Sequence, residues 1–127
     1  MTAPTILVVE DLEEIRDSLE RLLKTDGYRV EEARGEEEAV VRAMGETPNL
    51  ILVSSGGAGP DAAAVGWRIR QRAGLGEKIP VVVFCVQTID EGAEVEVRKN
   101  LHLIRPDNFD QLRSFLGRLL HRDDVTF

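Results

Sequence analysis

The feature that most constrains the fold is a regular alternation between short apolar runs and longer amphipathic segments. Five short runs predict strands, and most of them are rich in Val, Ile and Leu. The most apolar of these strands are expected to be buried on both faces of the sheet. The predicted strands cover residues 5–9, 28–32, 50–53, 81–86 and 101–104. Strict alternation of strands with helices predicts βαβ units, right-handed crossovers and a parallel sheet covered on both faces.

Five helices are predicted between and after these strands. Asp11, Asp61, Thr88 and Asp107 are candidate N-caps, and Gly27 is placed to end the first helix. The predicted helices cover about residues 12–26, 35–44, 62–72, 88–99 and 108–121. The size and pattern fit a flavodoxin-like (βα)5 fold, a doubly wound parallel sheet of five strands in the order 2-1-3-4-5. We expect one domain over residues 1–127, with its core at about 5–121.

Charge and cysteine content restrict the function. The formal net charge is −7, which disfavours direct nucleic-acid binding and docking on an anionic membrane, since both need clustered Lys and Arg. The single cysteine, Cys85, excludes an internal disulfide and suits a reducing compartment. No signal peptide and no membrane-spanning run is recognisable in the sequence. We therefore expect a cytoplasmic protein that binds neither nucleic acid nor membrane.

Four segments carry a resemblance to a known family. They are ILVVED at 6–11, PNLILV at 48–53, IPVVVF at 79–84 and LHLIRP at 101–106. In order and spacing they resemble the core segments of response-regulator receiver domains, the CheY-like proteins of bacterial two-component signalling and phosphorelays. The site of a doubly wound sheet lies beyond the carboxyl ends of its strands, at the switch point between strands one and three.

Two acidic residues, Glu10 and Asp11, follow the first strand. In the family an acidic pair at this place binds Mg²⁺, so the resemblance implies an acidic pocket here. Without the resemblance, the same residues fit a helix cap by Asp11 and a solvated Glu10. The residues alone leave both interpretations open.

The third strand is followed by Ser54, where the family has the aspartate that accepts the phosphoryl group. That chemistry needs a carboxylate, which attacks phosphorus to form an acyl phosphate and also ligates Mg²⁺. A serine hydroxyl is a poor nucleophile without an adjacent base. We therefore expect no phosphoacceptor, and weak Mg²⁺ binding or none, through Glu10 and Asp11. No other cofactor is expected.

Three switch positions that the resemblance implies are also substituted. Cys85 stands where the family has Thr or Ser, His102 where it has an aromatic residue, and Arg105 where it has a lysine that pairs with the phosphoryl group. Arg105 keeps the positive charge, but its planar fork differs from an ammonium. It precedes Pro106, a candidate for a cis peptide bond. We expect Arg105 to face the acidic pair in a residual salt-bridged pocket.

Other candidate groups have simpler interpretations. Cys85 is a packing residue or a reactive thiol, and burial favours packing. Trp67 is a packing residue or a partner contact. Asp61 is a helix cap rather than a displaced phosphoacceptor, and His102 is a partly exposed surface residue rather than a base.

The pattern indicates a degenerate receiver, or pseudo-receiver, and not an enzyme, because nucleophile, base and orienting group are not all present. The leading hypothesis is a phosphorylation-independent interaction module in two-component-type signal transduction. The alternative is an atypical switch that binds a cation or another ligand at a pocket of Glu10, Asp11 and Arg105. The resemblance implies a signalling protein as partner, docked on the surface at about 88–122, with a homodimer as a second option. No output domain follows the last helix, so we expect the effect to pass through that partner.

Overall fold

The computed structural model describes residues 3–54, 61–84 and 86–120. Within these ranges the chain forms six strands and four helices. The strands are β1 Thr5–Val9, β2 Arg29–Ala33, β3 Leu50–Ser54, β4 Val81–Phe84, β5 Glu94–Arg98 and β6 Leu101–Ile104. The helices are α1 Glu13–Thr25, α2 Glu36–Gly45, α3 Ala62–Arg72 and α4 Phe109–Leu120.

The strands form one sheet in the order β2-β1-β3-β4-β6-β5. Strands β2, β1, β3, β4 and β6 are mutually parallel, which confirms the predicted flavodoxin-like fold. These five are the predicted strands, and they lie in the predicted order 2-1-3-4-5, with β6 as the predicted fifth strand. The sixth strand, β5, was not predicted and pairs antiparallel with β6 at the edge of the sheet.

The predicted fourth helix at 88–99 is wrong, because the second half of that segment is β5. The run Glu-Val-Glu-Val-Arg alternates polar and β-branched residues with a period of two, a pattern that favours a strand. Two positive φ angles frame it: Gly92 at 84° before the strand, and Asn100 at 57° in the tight turn to β6. Asn is among the residues that tolerate this left-handed conformation, so the local sequence supports a hairpin.

Two apolar layers enclose the sheet. Alternate strand residues pack on one face against α2 and α3, and on the other against α1 and α4. The central strands β1, β3 and β4 are buried throughout, as expected for a sheet covered on both sides. This arrangement brings the carboxyl ends of β1 and β3 together at one edge of the layered core.

The helix ends differ from the predicted caps. The N-cap of α1 is Leu12 rather than Asp11, and Asp61 holds the N-cap position of α3 without a side-chain hydrogen bond. At the start of α4 the cap comes from Asn108, whose Oδ1 accepts the backbone N–H of Gln111 at 3.0 Å, and not from Asp107. Asp11 is therefore not needed for helix capping. Among the helices described, none is long and apolar enough to cross a membrane.

Gly66 marks the closest approach of α3 to the sheet. A Cβ built there would lie 2.6 Å from Cγ1 of Val81, a buried side chain of β4. We expect Gly66→Ala to lower the free energy of unfolding by about 1–3 kcal/mol, because overpacking outweighs the better helix propensity of alanine.

The matched control is Gly117→Ala in α4, where the added Cβ meets no atom within 4 Å. That change should raise the free energy of unfolding by up to about 1 kcal/mol. Urea denaturation of both variants measures the difference. Equal effects of the two substitutions would contradict the close packing of α3 on β4.

Candidate functional site

Glu10 and Ser54 lie side by side where β1 and β3 end. Val9 is in register with Val53, so the next residue of each chain segment falls at the same level. Both are buried, with 1% of Glu10 and 5% of Ser54 exposed. Asp11 is exposed. The structure thus brings the Ser54 hydroxyl position and one member of the acidic pair together, and leaves the other member at the surface.

The Glu10 carboxylate is held from one side only. Its Oε2 accepts the backbone N–H of Leu12 at 3.0 Å, and its backbone N–H donates to the carbonyl oxygen of Ala33 at 2.9 Å. Its Oε1 is buried and has no hydrogen-bond partner in the described part of the chain. A buried acceptor without a partner is unfavourable, so a hydrogen-bond donor or a cation placed at Oε1 of Glu10 would be stabilising.

A cation of the chain already lies beside these strand ends. Nη1 of Arg16 donates to the carbonyl oxygen of Glu10 at 2.9 Å and reaches that of Asp11 at 3.5 Å. Its Nε forms an ion pair with Glu32 at 3.3 Å. Arg16 therefore engages the backbone oxygens of the acidic pair, and its second contact fixes it to β2.

A small cavity of about 160 Å³ opens next to Glu10 and Asp11. Its basic side chain is Arg34, at the start of the loop to α2, and Arg105 is not among the residues that line it. The lining residues are Val9, Glu10, Asp11, Arg34, Gly35, Glu36 and Val65.

The predicted salt-bridged pocket between Arg105 and the acidic pair is wrong. Nη1 of Arg105 donates instead to the carbonyl oxygen of Ile89 at 3.1 Å. The backbone of Arg105 is also engaged, since its N–H donates to Ala93 at 3.0 Å and its carbonyl accepts from Gly92 at 2.6 Å. The hairpin brings the 89–93 loop beside Arg105, and the carbonyl oxygen of Ile89 in that loop accepts a hydrogen bond from the guanidinium.

Pro106 follows a trans peptide bond, so the cis bond considered for it is absent. The trans form is the intrinsically favoured one for an X–Pro bond. With this trans bond, the N–H and the carbonyl of Arg105 both take part in the hydrogen bonds of the hairpin. No tight turn at this position requires the cis form.

His102 has a packing role in β6. Its Nε2 lies 3.0 Å from Oδ1 of Asn100, and its ring meets Phe115 edge-on at a centroid distance of 5.4 Å. It is partly buried, as expected. Because Asn100 of the turn and Phe115 of α4 hold the ring, His102 contributes to the packing of β6 and not to a reaction at the strand ends.

The residues at β1 and β3 do not fit a resident Mg²⁺ as they stand. Mg²⁺ prefers carboxylate and other oxygen ligands in octahedral geometry. Here Oε1 of Glu10 is one unpaired oxygen, Asp11 lies outside at the surface, and β3 offers a hydroxyl at Ser54 in place of a carboxylate. The oxygen donors that the described residues offer here are therefore too few for Mg²⁺.

The described residues do contain one group of three converging carboxylates, Asp17, Glu20 and Glu32, on the flank of α1 and β2. Burial and the neighbouring Glu20 raise the pKa of Glu32. Lys24 holds the pKa of Glu20 below its usual range through an ion pair at 3.0 Å. The cluster is balanced by cations of its own helix and is separate from the acidic pair.

The hairpin that replaces the fourth helix is fixed from several sides. Nε2 of Gln111 donates to Gly92 at 2.8 Å and to Glu94 at 3.0 Å, and Arg118 forms an ion pair with Glu94 at 3.0 Å. Burial raises the pKa of Glu94, but the hydrogen bonds from Gln111 and Arg118 more than offset it, and the net pKa is lowered. The carboxylate therefore stays charged and holds β5 to α4.

A buried arginine secures the turn of the hairpin. Arg70 of α3 is 1% exposed, and its guanidinium donates to the carbonyl oxygens of Ile79, Asn100 and Lys99, each at 3.1 Å. Burial lowers the pKa of this guanidinium. The three carbonyls belong to the start of β4 and to the β5–β6 turn, so one side chain ties both to α3.

Sequence reasoning missed three basic residues: Arg16 at the strand ends, Arg70 at the hairpin turn, and Arg34, which lines the cavity beside Glu10. Each lies in a helical or loop segment where an arginine is ordinarily solvated, and nothing in its spacing marks it. Arg98 lies 4.9 Å above the ring of Trp67, and this contact was missed because Arg98 belongs to β5, which was not predicted. Trp67 itself is half-buried against the core, as one of its two interpretations required. Cys85 and the loop at 55–60 lie outside the described residues.

Neither a protein-family model nor a curated protein sequence matches this chain. Solved structures do match it over nearly its full length. The response regulator TrrA of Thermotoga maritima, in complex with Mg²⁺–BeF, is 22% identical with a TM-score of 0.70, over 94% of this chain and 100% of its own.

Two further solved structures are similar. The receiver domain of the hybrid histidine kinase CckA is 25% identical with a TM-score of 0.67, over 91% of this chain and 98% of its own. The N-terminal domain of a response regulator/sensory box/GGDEF three-domain protein of Carboxydothermus hydrogenoformans is 26% identical with a TM-score of 0.68, over 95% of this chain and 97% of its own. The structural neighbours of this chain are thus response-regulator receiver domains, and its sequence likeness to them is low.

Proposed function

We propose that this chain is a receiver-like module of two-component-type signalling that acts through protein contacts and without phosphorylation. The observation that carries the proposal is Ser54 beside Glu10 at the carboxyl end of β3, where the acyl-phosphate chemistry needs a carboxylate. The similarity to receiver domains supports a role in signal transduction. A reducing, cytoplasmic setting is part of the same proposal.

More than one residue supports the proposal that the phosphorylation switch has been lost. Arg105 is engaged with Ile89, so its guanidinium is not turned towards a phosphoryl group at Ser54. The segment that follows β4 is a hairpin tied to α3 and α4 by Arg70, Gln111 and Arg118. A switch needs two arrangements of comparable free energy, and these bonds favour one.

A binding role fits the site better than catalysis. His102 is held by Asn100 and Phe115, and within the described residues no hydrogen bond joins Ser54 to the neighbouring carboxylate of Glu10, whose Oε1 has no partner. The alternative of a ligand-gated switch required Glu10, Asp11 and Arg105 in one pocket, and the contact of Arg105 with Ile89 removes that support. We keep the partner surface at about 88–122. In it, β5 takes the place of the helix predicted at 88–99, next to β6 and α4.

Incubation with acetyl phosphate and Mg²⁺ tests the proposal. We expect the intact mass to stay unchanged, because β3 ends in a hydroxyl in place of the nucleophilic carboxylate and no hydrogen bond among the described residues joins Ser54 to a base. A receiver domain with aspartate at the equivalent position serves as the positive control. A stoichiometric gain of one phosphoryl group on this chain, either labile or stable to hydroxylamine, would show that the site is active and the proposal wrong.

A further inference from the structure

Among the residues that the structure describes, nothing pairs with the outer side of β5, which forms an open sheet edge. Of the six strands in the described ranges, β5 pairs only with β6, and β2 forms the opposite edge. Exposed edges offer unpaired N–H and C=O groups to an incoming strand. This edge exists because a strand takes the place of the expected helix.

The pairing pattern identifies which backbone groups face outward. Arg105 N–H donates to the carbonyl oxygen of Ala93, and Gly92 rather than Ala93 donates to the Arg105 carbonyl, so residues 92 and 93 together form the hydrogen-bonded pair with residue 105. Such pairs alternate along an antiparallel ladder, which places the backbone groups of Val95 towards β6 and those of Glu94 and Glu96 towards the outside. Two N–H and two C=O groups are therefore presented along the edge.

The charged side chains of β5 are folded back onto the chain. Glu94 is held by Gln111 and Arg118, Oε2 of Glu96 accepts the backbone N–H of Asn100 at 2.8 Å, and Arg98 lies on Trp67. Charges that project from an edge normally prevent strand addition. Here they are engaged with their own protein, which leaves the backbone edge accessible.

Apolar surface accompanies the open backbone. Val95 is 38% exposed and Val97 47% exposed. Val95 is in register with Leu103, which packs against the core on the α3 side. An aliphatic side chain from an added strand would therefore extend this apolar surface.

We infer that β5 binds an extended segment of a partner protein, which adds to the sheet as a further strand. Lys or Arg at alternate positions of that segment would face Glu96, which pairs with no cation among the described residues, and Glu94, which already pairs with Arg118; aliphatic residues between them would face the valines. Two residues apart on a strand, the two glutamates lie on one face, and opposite charges across strands are stabilising. The inference rests on the proposed interaction function and gives the partner its chemistry.

A second copy of this chain is a poorer occupant. Antiparallel pairing of two β5 edges would place Glu94 and Glu96 of one copy against the same glutamates of the other, and like charges directly opposite are destabilising. Each copy also carries a net charge of −7. Charge therefore favours a basic partner segment.

The test uses a blocked, fluorescently labelled heptapeptide that alternates lysine and valine, titrated into the full chain and followed by anisotropy. We expect saturable binding, and slower hydrogen exchange at the amides of Glu94 and Glu96 in the complex. A peptide of the same composition in scrambled order, and one alternating glutamate and valine, should bind at least about tenfold more weakly.

Two variants of one residue separate backbone from charge. Glu96→Pro removes an outward N–H without breaking a bond to β6, and should weaken binding by at least about tenfold. Glu96→Gln keeps that N–H and the acceptor for Asn100, and should weaken binding by less, through the lost charge alone. The exchange data on the unmodified chain make the test independent of whether Glu96→Pro folds.

Three results would overturn the inference: equal binding of the scrambled peptide, protection of amides away from β5, or a concentration-dependent dimer in sedimentation that Glu96→Pro dissolves. The last result would assign the edge to a second copy. None of these readouts depends on phosphorylation, so failure here leaves the acetyl phosphate result, and with it the proposed function, to be judged separately.

Discussion

Replacing Arg70 by methionine should lower the free energy of unfolding by about 3 kcal/mol. The methionine fills much of the space but donates no hydrogen bond, so the carbonyls of Ile79 and Lys99 lose a partly buried partner. Asn100 keeps one bond, because its carbonyl also accepts the N–H of Val81 at 2.9 Å. Urea denaturation followed by circular dichroism measures the loss.

Arg72→Met is the matched control on the same helix. Arg72 is exposed and pairs with Glu36 and Glu37 of α2 at the surface, where ion pairs contribute little. We expect a clearly smaller change than for Arg70→Met. If both variants lose the same stability, the guanidinium of Arg70 does not hold the hairpin turn as described.

Restoring the carboxylate with Ser54→Asp should make the stability of the chain depend on Mg²⁺. Without the ion, the new charge lies beside buried Glu10 and should destabilise the fold, since two adjacent carboxylates disfavour joint ionisation. With Mg²⁺ at about 100 times its dissociation constant, about 2.7 kcal/mol would be recovered. Thermal unfolding measured without Mg²⁺ and with saturating Mg²⁺ gives the shift.

Ser54→Asn is the control of equal size and no charge. We expect its unfolding temperature, and that of the unmodified chain, to be unaffected by Mg²⁺. A similar Mg²⁺ effect in all three proteins would mean that the cation binds elsewhere, for example at Asp17, Glu20 and Glu32. No effect in Ser54→Asp would mean that Arg16 and the surrounding loop have changed the site beyond the loss of one ligand.

The parallel part of the fold could be predicted from the sequence because its signal is local. Each central strand is a continuous apolar run, and its neighbours in the sheet follow from the βα alternation. The strand β5 was missed because a candidate cap at Thr88 and the expected family pattern outweighed five residues of period-two alternation. The turn residues Gly92 and Asn100 were the available evidence for a hairpin.

The site was only partly predictable for a different reason. That Glu10 and Ser54 adjoin follows from the topology, since both end parallel neighbouring strands. Side-chain partners do not follow from topology. Arg105 could reach either the acidic pair or the 89–93 loop, and the choice depends on the hairpin, whose presence was not foreseen. The same holds for Arg70, whose acceptors lie 9 to 30 residues away.

Arg16 gives the strand ends a counter-charge that is covalently part of the chain. A bound metal ion is lost when its free concentration falls below its dissociation constant, whereas a tethered guanidinium cannot diffuse away. An arginine also remains protonated throughout the physiological pH range. The part of the positive charge near Glu10 and Asp11 that Arg16 supplies is therefore set at synthesis and does not depend on the supply of magnesium.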